Sequence, residues 1–457
     1  MMGTIGAVIL AAGDGKRMKS AQPKPMLPVL FRPMVDWVLD AALAAGVGDV
    51  CVVCPPGEVM QEHLSGRCTI AVQRERLGTG HAVMQANEFI QGHAGGEIVV
   101  LGGDVPLCTG QAIQDALHFH RQNKNDVTVI TARVKNPTGY GRIVRGEAGL
   151  SRIVEHKDAD AATLAIDEIN SGAYVFSADA LLRALNSLKN HNAAGEYYLT
   201  DTIELIKGAG GRADAFDARD EGVVLGANDP WQLYELNKTA NDKSLRAHAE
   251  NGVRFVSLDG IVIAADAKIG ADTTILPGTI IRCGSIIGTG CTIGPNAVIE
   301  HSRIGDGSVI NASQIYHSRV GDHVTIGPFT QLRPGCDIKD NVKVGDFVEV
   351  KNSVVGEKTS IAHLTYIGDS DVGSGVNFGC GVVTVNYDGQ NKARTTIGDN
   401  AFVGCNSNLV APVMVGDGAY VAAGTTVTND VPAGDLAIGR ARQLNKKDYA
   451  AGRYKKK

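Results

Sequence analysis

The sequence predicts two folds in one chain: an α/β domain on a Rossmann-like, mainly parallel sheet, then a parallel β-helix built from six-residue repeats. Three observations carry this. The chain has 457 residues, more than one hydrophobic core normally organises. It holds 56 glycines and only 5% aromatic residues, a composition that suits regular tight corners better than conventional packed layers. Its hydrophobic pattern also changes beyond the middle of the chain, from alternating strand and helix signals to an apolar residue at every sixth position.

From Ile5 to about residue 228, β-rich runs alternate with helical ones: IGAVIL, VDWVLDAALAAG, DVCVVC, HAVMQANEFI, EIVVL, AIQDALHFHRQ and DVTVITARV. Such alternation predicts a parallel sheet covered by helices, with ligands bound beyond the C-terminal ends of its strands. Residues 230–252 (WQLYELNKTANDKSLRAHAENG after Pro230) are polar and helical, and read as a linker. The predicted division is therefore 1–229, a linker helix 230–252, and 253–457. In the last part IGADTT, IGPNAV, IGDGSV, VGDHVT, VGDFVE, VGSGVN, IGDNAF and VGDGAY repeat the six-residue period. Aliphatic side chains should stack inside a prism, with Gly, Asn and Asp at corners that need positive φ. The period runs from about residue 263 to 430 and breaks once, at TVNYDGQNKARTT. Residues 384–396 are predicted to protrude there, and such insertions often mark a binding face.

Composition narrows the function. A net charge of -5 and a pI near 6.2 leave no broad basic surface for nucleic acid or an anionic membrane, so anionic substrates need local cations and backbone donors. IGAVILAAG is a short apolar run that leads into GDGKRM, so no signal peptide is read, and no apolar stretch has bilayer length. Nine scattered cysteines suit a reducing cytoplasm better than a disulfide framework. The C-x-x-C at Cys51 and Cys54 lies in a strand-like run and reads as buried thiols.

The first strand runs into L-A-A-G-x-G-x-R-M (Leu10 to Met18) and then P-K-P around Lys24. Glycines let backbone N–H groups approach phosphate oxygens, while Arg17 and Lys24 neutralise charge. Asp104 follows the apolar run EIVVLGG at a predicted strand end and offers a hard oxygen. With Q-x-x-x-L-G-T-G-H-A (Gln73 to Ala82), G-D-V-P-L (Gly103 to Leu107), P-T-G-Y-G-R-I (Pro137 to Ile143), V-E-H-K-D and G-E-Y-Y-L-T-D, the first half resembles the sugar-1-phosphate nucleotidyltransferases. Together with the repeats, the chain resembles over its whole length the bifunctional bacterial enzymes of UDP-N-acetylglucosamine synthesis. These join N-acetylglucosamine-1-phosphate uridyltransferase to glucosamine-1-phosphate N-acetyltransferase. The resemblance implies a left-handed β-helix, a cytoplasmic homotrimer, Mg²⁺, and UTP and acetyl-CoA as co-substrates.

It further implies that Leu10, Ala11, Ala12, Gly13 and Lys24 contact nucleotide, with Gly102 and Gly103 beside them. Gln73, Gly78 and Thr79 would read uracil, Gly141, Glu155 and Asn170 would hold the sugar, and Asp104 and Asn228 would hold Mg²⁺. Arg17 and Lys24 would stabilise the phosphates while the sugar phosphate attacks the α-phosphorus of UTP. Two positions depart from the family pattern: Lys16 stands where Thr or Ser is common, and Gly102 where an aromatic residue often precedes G-D.

In the repeats, polar residues cluster between Arg333 and Tyr387. Arg333 and Lys351 are one three-sided turn apart and should stack with His363 and Tyr366 on one face. The resemblance assigns Arg333, Lys351, Tyr366 and Asn377 to glucosamine-1-phosphate and makes His363 the general base, a role suited to removing an ammonium proton near neutrality. Acetyl-CoA would use Cys380, Asn386, Tyr387, Cys405, Ala423 and Arg440. Cys380 and Cys405 stand where Ala and Ser are common, which leaves contact through side chain or backbone open; covalent thiol catalysis is disfavoured, since no activating base is predicted for either thiol. The basic tail Arg453–Lys457 reads as a solvated end that could reach a neighbouring subunit or the CoA phosphates. Two other readings stand beside this one: a single-activity nucleotidyltransferase with a structural or regulatory β-helix, and a scaffold with both sites lapsed. The cluster around His363 argues against the first, and the Asp104 and Asn228 pair against the second.

Overall fold

A computed structural model describes residues 4–13, 15–146, 149–192 and 195–451; the tail Arg453–Lys457 and the Lys16 side chain lie outside them. The chain forms two compact units, Met1–Ala240 and Asn241–Lys457. The helix Pro230–Glu250 runs across their boundary.

In the first unit the sheet order is Ala213–Asp217, Val127–Arg133, Glu168–Ser177, Glu97–Gly102, Ile5–Leu10, Asp49–Cys54 and Thr69–Val72. All of these run parallel except Glu168–Ser177, which is antiparallel to both neighbours. Helices cover both faces, which is why the central strands read as continuous apolar runs. Ala7 and Ile9 pack on one side with the helix Met34–Ala44, while Val8 packs on the other with Ala178–Ser187. Cys51 and Cys54 are buried in their strand, and burial pushes both thiols up to about 12, so they are inert packing groups. Leu10 pairs with Gly102, so the Gly-rich turn and Asp104 leave adjacent strands side by side. Gly103 N donates to Leu10 O at 2.9 Å, and a Cβ on Gly103 would lie 3.1 Å from the Ala11 Cβ. A larger residue there would require the Leu10–Ala11 segment to give by a few tenths of an ångström.

His120, on the helix Gly110–Gln122, is buried against Thr128, with ring nitrogen and hydroxyl 2.9 Å apart. Burial lowers its pKa from the ordinary 6.5 to about 4, against the opposing pull of Glu97 and Asp126. The unfolded chain therefore binds the proton more readily, and stability falls as pH drops from 6.5 toward 4, by about 3 kcal/mol at the limit. Both tryptophans, Trp37 and Trp231, lie in this unit, so their fluorescence follows its urea unfolding. The unfolding midpoint should drop between pH 7 and 5 more steeply for the wild type than for His120→Gln. Parallel pH profiles would show that this histidine does not carry the effect.

The second unit is a left-handed parallel β-helix, whose described strands form parallel stacks of 11, 10 and 9. One interior column runs Ile275, Ile293, Ile310, Ile326, Val344, Ile361, Phe378, Val403 and Val421, all buried. The corners depart from expectation. Beside Asn and Asp, the positive-φ positions include His301, His317, Phe329, Phe347 and Leu364. At successive coils these side chains contact each other: the Phe329 and Phe347 rings stack at 5.3 Å and those of His301 and His317 at 4.9 Å. Ring contact partly offsets the cost of a left-handed backbone, on the order of 1–2 kcal/mol per residue. The loop is also shorter than predicted. Val383–Val385 and Thr395–Ile397 keep their strand pairing, so only residues 386–394 protrude. Thr384 stays inside because its hydroxyl oxygen accepts from Gly368 N at 2.7 Å.

Candidate active sites

In the first unit a cavity of about 360 Å³ is lined by Leu10, Gly13, Gly15, Arg17, Lys24, Pro25, Asp104 and Asn228. The turn after Ile5–Leu10 brings the glycines, a short 3-10 turn Lys24–Met26 brings the lysine, and the end of Glu97–Gly102 brings Asp104. The Lys24 ammonium, almost fully buried, donates to Asp104 Oδ2 at 2.5 Å and to Asn228 Oδ1 at 2.8 Å. Carboxylate and amide oxygens from distant parts of the chain thus converge on one positive charge. Asn228 is itself fixed, its N–H donating to Gln232 Oε1 at 2.8 Å.

A second cavity of about 450 Å³, also lined by Leu10, contains Thr79, Glu155, Asn170, Tyr174 and Tyr198. Asn170 Nδ2 donates to Tyr174 Oη at 2.9 Å, and Asn170 N donates to Gly141 O at 2.9 Å. A Cβ on Gly141 would meet Ile153 at 3.1 Å and Glu155 at 3.4 Å. Burial raises the Glu155 pKa, with Asp158 and Asp201 adding to it. Gln73 is buried; its amide donates to Gly78 O at 3.2 Å and lies 3.0 Å from His81 Nδ1. Gly78 has φ +101, and a Cβ there would lie 2.6 Å from Tyr197 O. The Thr79 hydroxyl accepts from Leu199 N at 3.1 Å. The sequence reading missed His81, although it lies inside the quoted glycine motif.

In the β-helix the polar residues fall on two faces, not one. Arg333 and Lys351 stack in register, and Tyr366 follows on the next strand of that stack. His363 and Asn377 belong to the neighbouring stack; His363 lies twelve residues, two sides of the three-sided coil, beyond Lys351 and so cannot share its face. There the register places Asp346, His363, Cys380, Cys405 and Ala423 in a single column, one per coil. His363 Nδ1 lies 2.5 Å from Asp346 Oδ1. That contact, together with the positive field of Lys343, holds the Asp346 carboxyl below the usual range. An ionised carboxylate only accepts, so Nδ1 carries the proton and Nε2 is left with its lone pair.

On the first face, Arg333 pairs with Glu349 at 3.0 Å. Lys351 lies 3.4 Å from the buried Asp369, whose carboxylate also accepts from Asn352 Nδ2 at 2.6 Å and from Asn386 Nδ2. These contacts hold Asp369 ionised against the opposing effect of burial. Asn386 opens the protruding loop, which a bridge between Tyr387 and Lys392 folds back on itself. The Lys351 ammonium lowers the Lys392 pKa, which brings the Lys392 head group to the neighbourhood of Lys351 and Arg333. Neither Lys392 nor Asp369 was picked out from the sequence. Arg440 Nη1 donates to Ala423 O at 2.5 Å, joining two of the positions expected to contact acetyl-CoA.

Comparison with known proteins follows the same division. Residues 6–232 match the nucleotidyl transferase family, and residues 266–301, 317–352 and 394–429 match the bacterial transferase hexapeptide family (six repeats). The chain is 47% identical over 445 residues to the bifunctional protein GlmU of Acetivibrio thermocellus, spanning 97% of this chain and 96% of that one. It is 48% identical over 452 residues to the bifunctional protein GlmU of Caldanaerobacter subterraneus subsp. tengcongensis, spanning 98% of each. To that of Clostridium botulinum (strain 657 / Type Ba4) it is 45% identical over 446 residues, spanning 97% of each.

Proposed function

Since the chain belongs to the family of bifunctional GlmU proteins, it is a two-activity transferase of UDP-N-acetylglucosamine synthesis, and we propose that each unit carries one complete active site. The β-helix acetylates glucosamine-1-phosphate from acetyl-CoA. The first unit then joins the product to UTP and releases pyrophosphate. The observation that carries this assignment is that each unit holds its own convergence of reactive groups: Lys24, Asp104 and Asn228 in one, Asp346 and His363 in the other.

In the first unit the sugar phosphate oxygen attacks the α-phosphorus of UTP; that P–O bond forms as the α–β bond breaks. Such chemistry depends on positioning and charge neutralisation more than on a protein nucleophile. Arg17, Lys24 and the turn N–H groups supply them. Asp104 and Asn228 fit Mg²⁺, because two hard oxygens already face a cation and the ion takes its remaining ligands from phosphate and water. When bound, the metal would neutralise phosphate charge and free Lys24 for the nucleotide. Gln73, Gly78 and Thr79 read uracil, and Gly141, Glu155 and Asn170 hold the sugar.

In the β-helix, Arg333, Lys351 and Lys392 bind the anomeric phosphate, with Tyr366 and Asn377 around the sugar. His363 Nε2 takes a proton from the substrate ammonium, the amine attacks the thioester carbonyl, and the C–S bond breaks as the CoA thiolate leaves and takes up the second nitrogen proton as free thiol. CoA contacts Cys380, Asn386, Tyr387, Cys405, Ala423 and Arg440. Purified protein given glucosamine-1-phosphate, acetyl-CoA, UTP and Mg²⁺ should release CoA and pyrophosphate; release of only one product would refute the two-site assignment.

The enzyme works as a cytoplasmic homotrimer. No helix among the described residues is long and apolar enough to cross a membrane. Phe329, Phe347 and Leu364 form an apolar corner ladder, each more than half exposed, and a second β-helix would cover it. A fragment beginning at Pro230 should sediment as a trimer and retain acetyl transfer. A monomeric, fully active fragment would remove the intersubunit site from this account.

A further inference from the structure

Two of the nine cysteines differ from the rest in their surroundings. Cys51, Cys54, Cys108, Cys291 and Cys336 are buried, the thiol of half-buried Cys68 donates to a backbone carbonyl, and half-buried Cys283 packs against the β-helix core. Cys405 is exposed and Cys380 half-buried; both are free, and neither sulfur makes a hydrogen bond among the described residues. Cys380 and Cys405 also occupy equivalent positions of successive coils, because Asn377 pairs with Phe402 and Phe378 with Val403. Asn406 N donates to Cys380 O at 2.8 Å, locking the two corners together. The Cys405 sulfur points back toward the coil of Cys380, where a Cβ on Gly379 would lie 2.9 Å from it.

Neighbouring parallel strands lie about 4.8 Å apart, so in-register cysteines fall within the roughly 4.4–6.8 Å Cα separation that a disulfide spans. The surplus residues between them form the loop 386–394, which is why 25 positions of sequence separation conceal a pair one coil apart. We propose that Cys380 and Cys405 are a redox modification site: a low-molecular-weight disulfide converts them to an intrachain disulfide that closes the acetyl-donor site. This rests on the acetyltransferase reading of the β-helix.

The chemistry balances. The Cys405 thiolate attacks one sulfur of the small disulfide, whose S–S bond breaks, and one small thiol leaves with the proton Cys405 lost. Cys380 then attacks the Cys405 sulfur of the mixed disulfide, and the second small thiol leaves with the Cys380 proton. The two cysteines lose two electrons and the reagent gains two. Cys380 is the next residue after His363 in the column, so the new bond and its corner distortion fall where the thioester must meet the amine. Displacing reacting groups by about 1 Å can cost about 10²-fold in rate.

The test uses the full chain treated with oxidised glutathione, followed by non-reducing peptide mapping and separate assays of CoA and pyrophosphate release. The expected result is a peptide linking Cys380 to Cys405 within one chain, acetyl transfer reduced about 10²-fold, pyrophosphate release unchanged, and recovery on reduction. A Cys380→Ala/Cys405→Ser variant, scored against its own untreated rate, should be insensitive to the reagent. Free thiols or glutathione adducts alone at the two positions would overturn the proposal. So would a linked peptide with acetyl transfer intact, or equal inactivation of the double variant. If untreated enzyme transfers no acetyl group, the acetyltransferase reading has failed, while the peptide map still decides the disulfide.

Discussion

Asp104→Ala should abolish pyrophosphate release, by about 10³-fold or more, while CoA release from glucosamine-1-phosphate and acetyl-CoA stays near the wild-type rate. The substitution removes the only carboxylate among the described residues lining the cavity proposed to hold the phosphates. It also leaves the buried Lys24 ammonium with Asn228 as its one side-chain partner among the described residues. Both losses raise the barrier for the same reason, since the reaction gathers negative charge that the protein must neutralise. Asp104→Asn separates them. The amide keeps an oxygen for Lys24 but binds Mg²⁺ less strongly, so its rate should recover partly as Mg²⁺ is raised. Equal loss of both activities in a folded variant would show that the two sites are not separate. Undiminished pyrophosphate release would remove Asp104 from the site.

The convergence of the first-unit candidate residues was largely readable because they lie in short contiguous motifs at strand ends, and a parallel sheet brings those ends together. Leu10 to Lys24 and Gly102 to Asp104 meet because Ile5–Leu10 and Glu97–Gly102 pair in register. What the motif could not reveal is the direct Lys24 contact with both presumed metal ligands, which depends on side-chain reach. In the β-helix the period located the domain but not the column. Counting eighteen residues succeeds from Arg333 to Lys351, yet from His363 it lands on Gly345, whereas the true register partner is Asp346. One short coil therefore hid the carboxylate beside His363, and the loop hid the alignment of Cys380 with Cys405. His363 misses the face of Arg333 and Lys351 for a simpler reason: it lies twelve residues beyond Lys351, two sides of the coil and not a full turn. The corner composition misled for a different reason. Left-handed corners were assigned to Gly, Asn and Asp on local conformational cost, but stacking between coils lets Phe and His occupy them.

His363→Ala should lower acetyl transfer by about 10²- to 10⁴-fold, the usual contribution of a positioned base, with little change in uridyl transfer. Sedimentation as a trimer and binding of glucosamine-1-phosphate should persist, because Arg333 and Lys351, the cations proposed to hold the phosphate, lie on the other face. That separates loss of proton removal from loss of structure. Asp346 supplies the sharper test. Its carboxylate, 2.5 Å from Nδ1, fixes the tautomer that leaves Nε2 free to accept a proton. In Asp346→Asn the amide can instead donate to Nδ1, which turns the wrong nitrogen toward the substrate. Acetyl transfer should then fall almost as far as in His363→Ala, and Asp346→Ala, which imposes no tautomer, should keep more activity than Asp346→Asn. The double variant His363→Ala/Asp346→Asn should be no slower than His363→Ala alone, since the carboxylate acts only through the ring. Additive losses would mean that Asp346 touches the substrate itself. If His363→Ala acetylates at nearly the wild-type rate around neutral pH, the histidine is not the base. Tyr366, or a water held by backbone groups, would then have to take the proton.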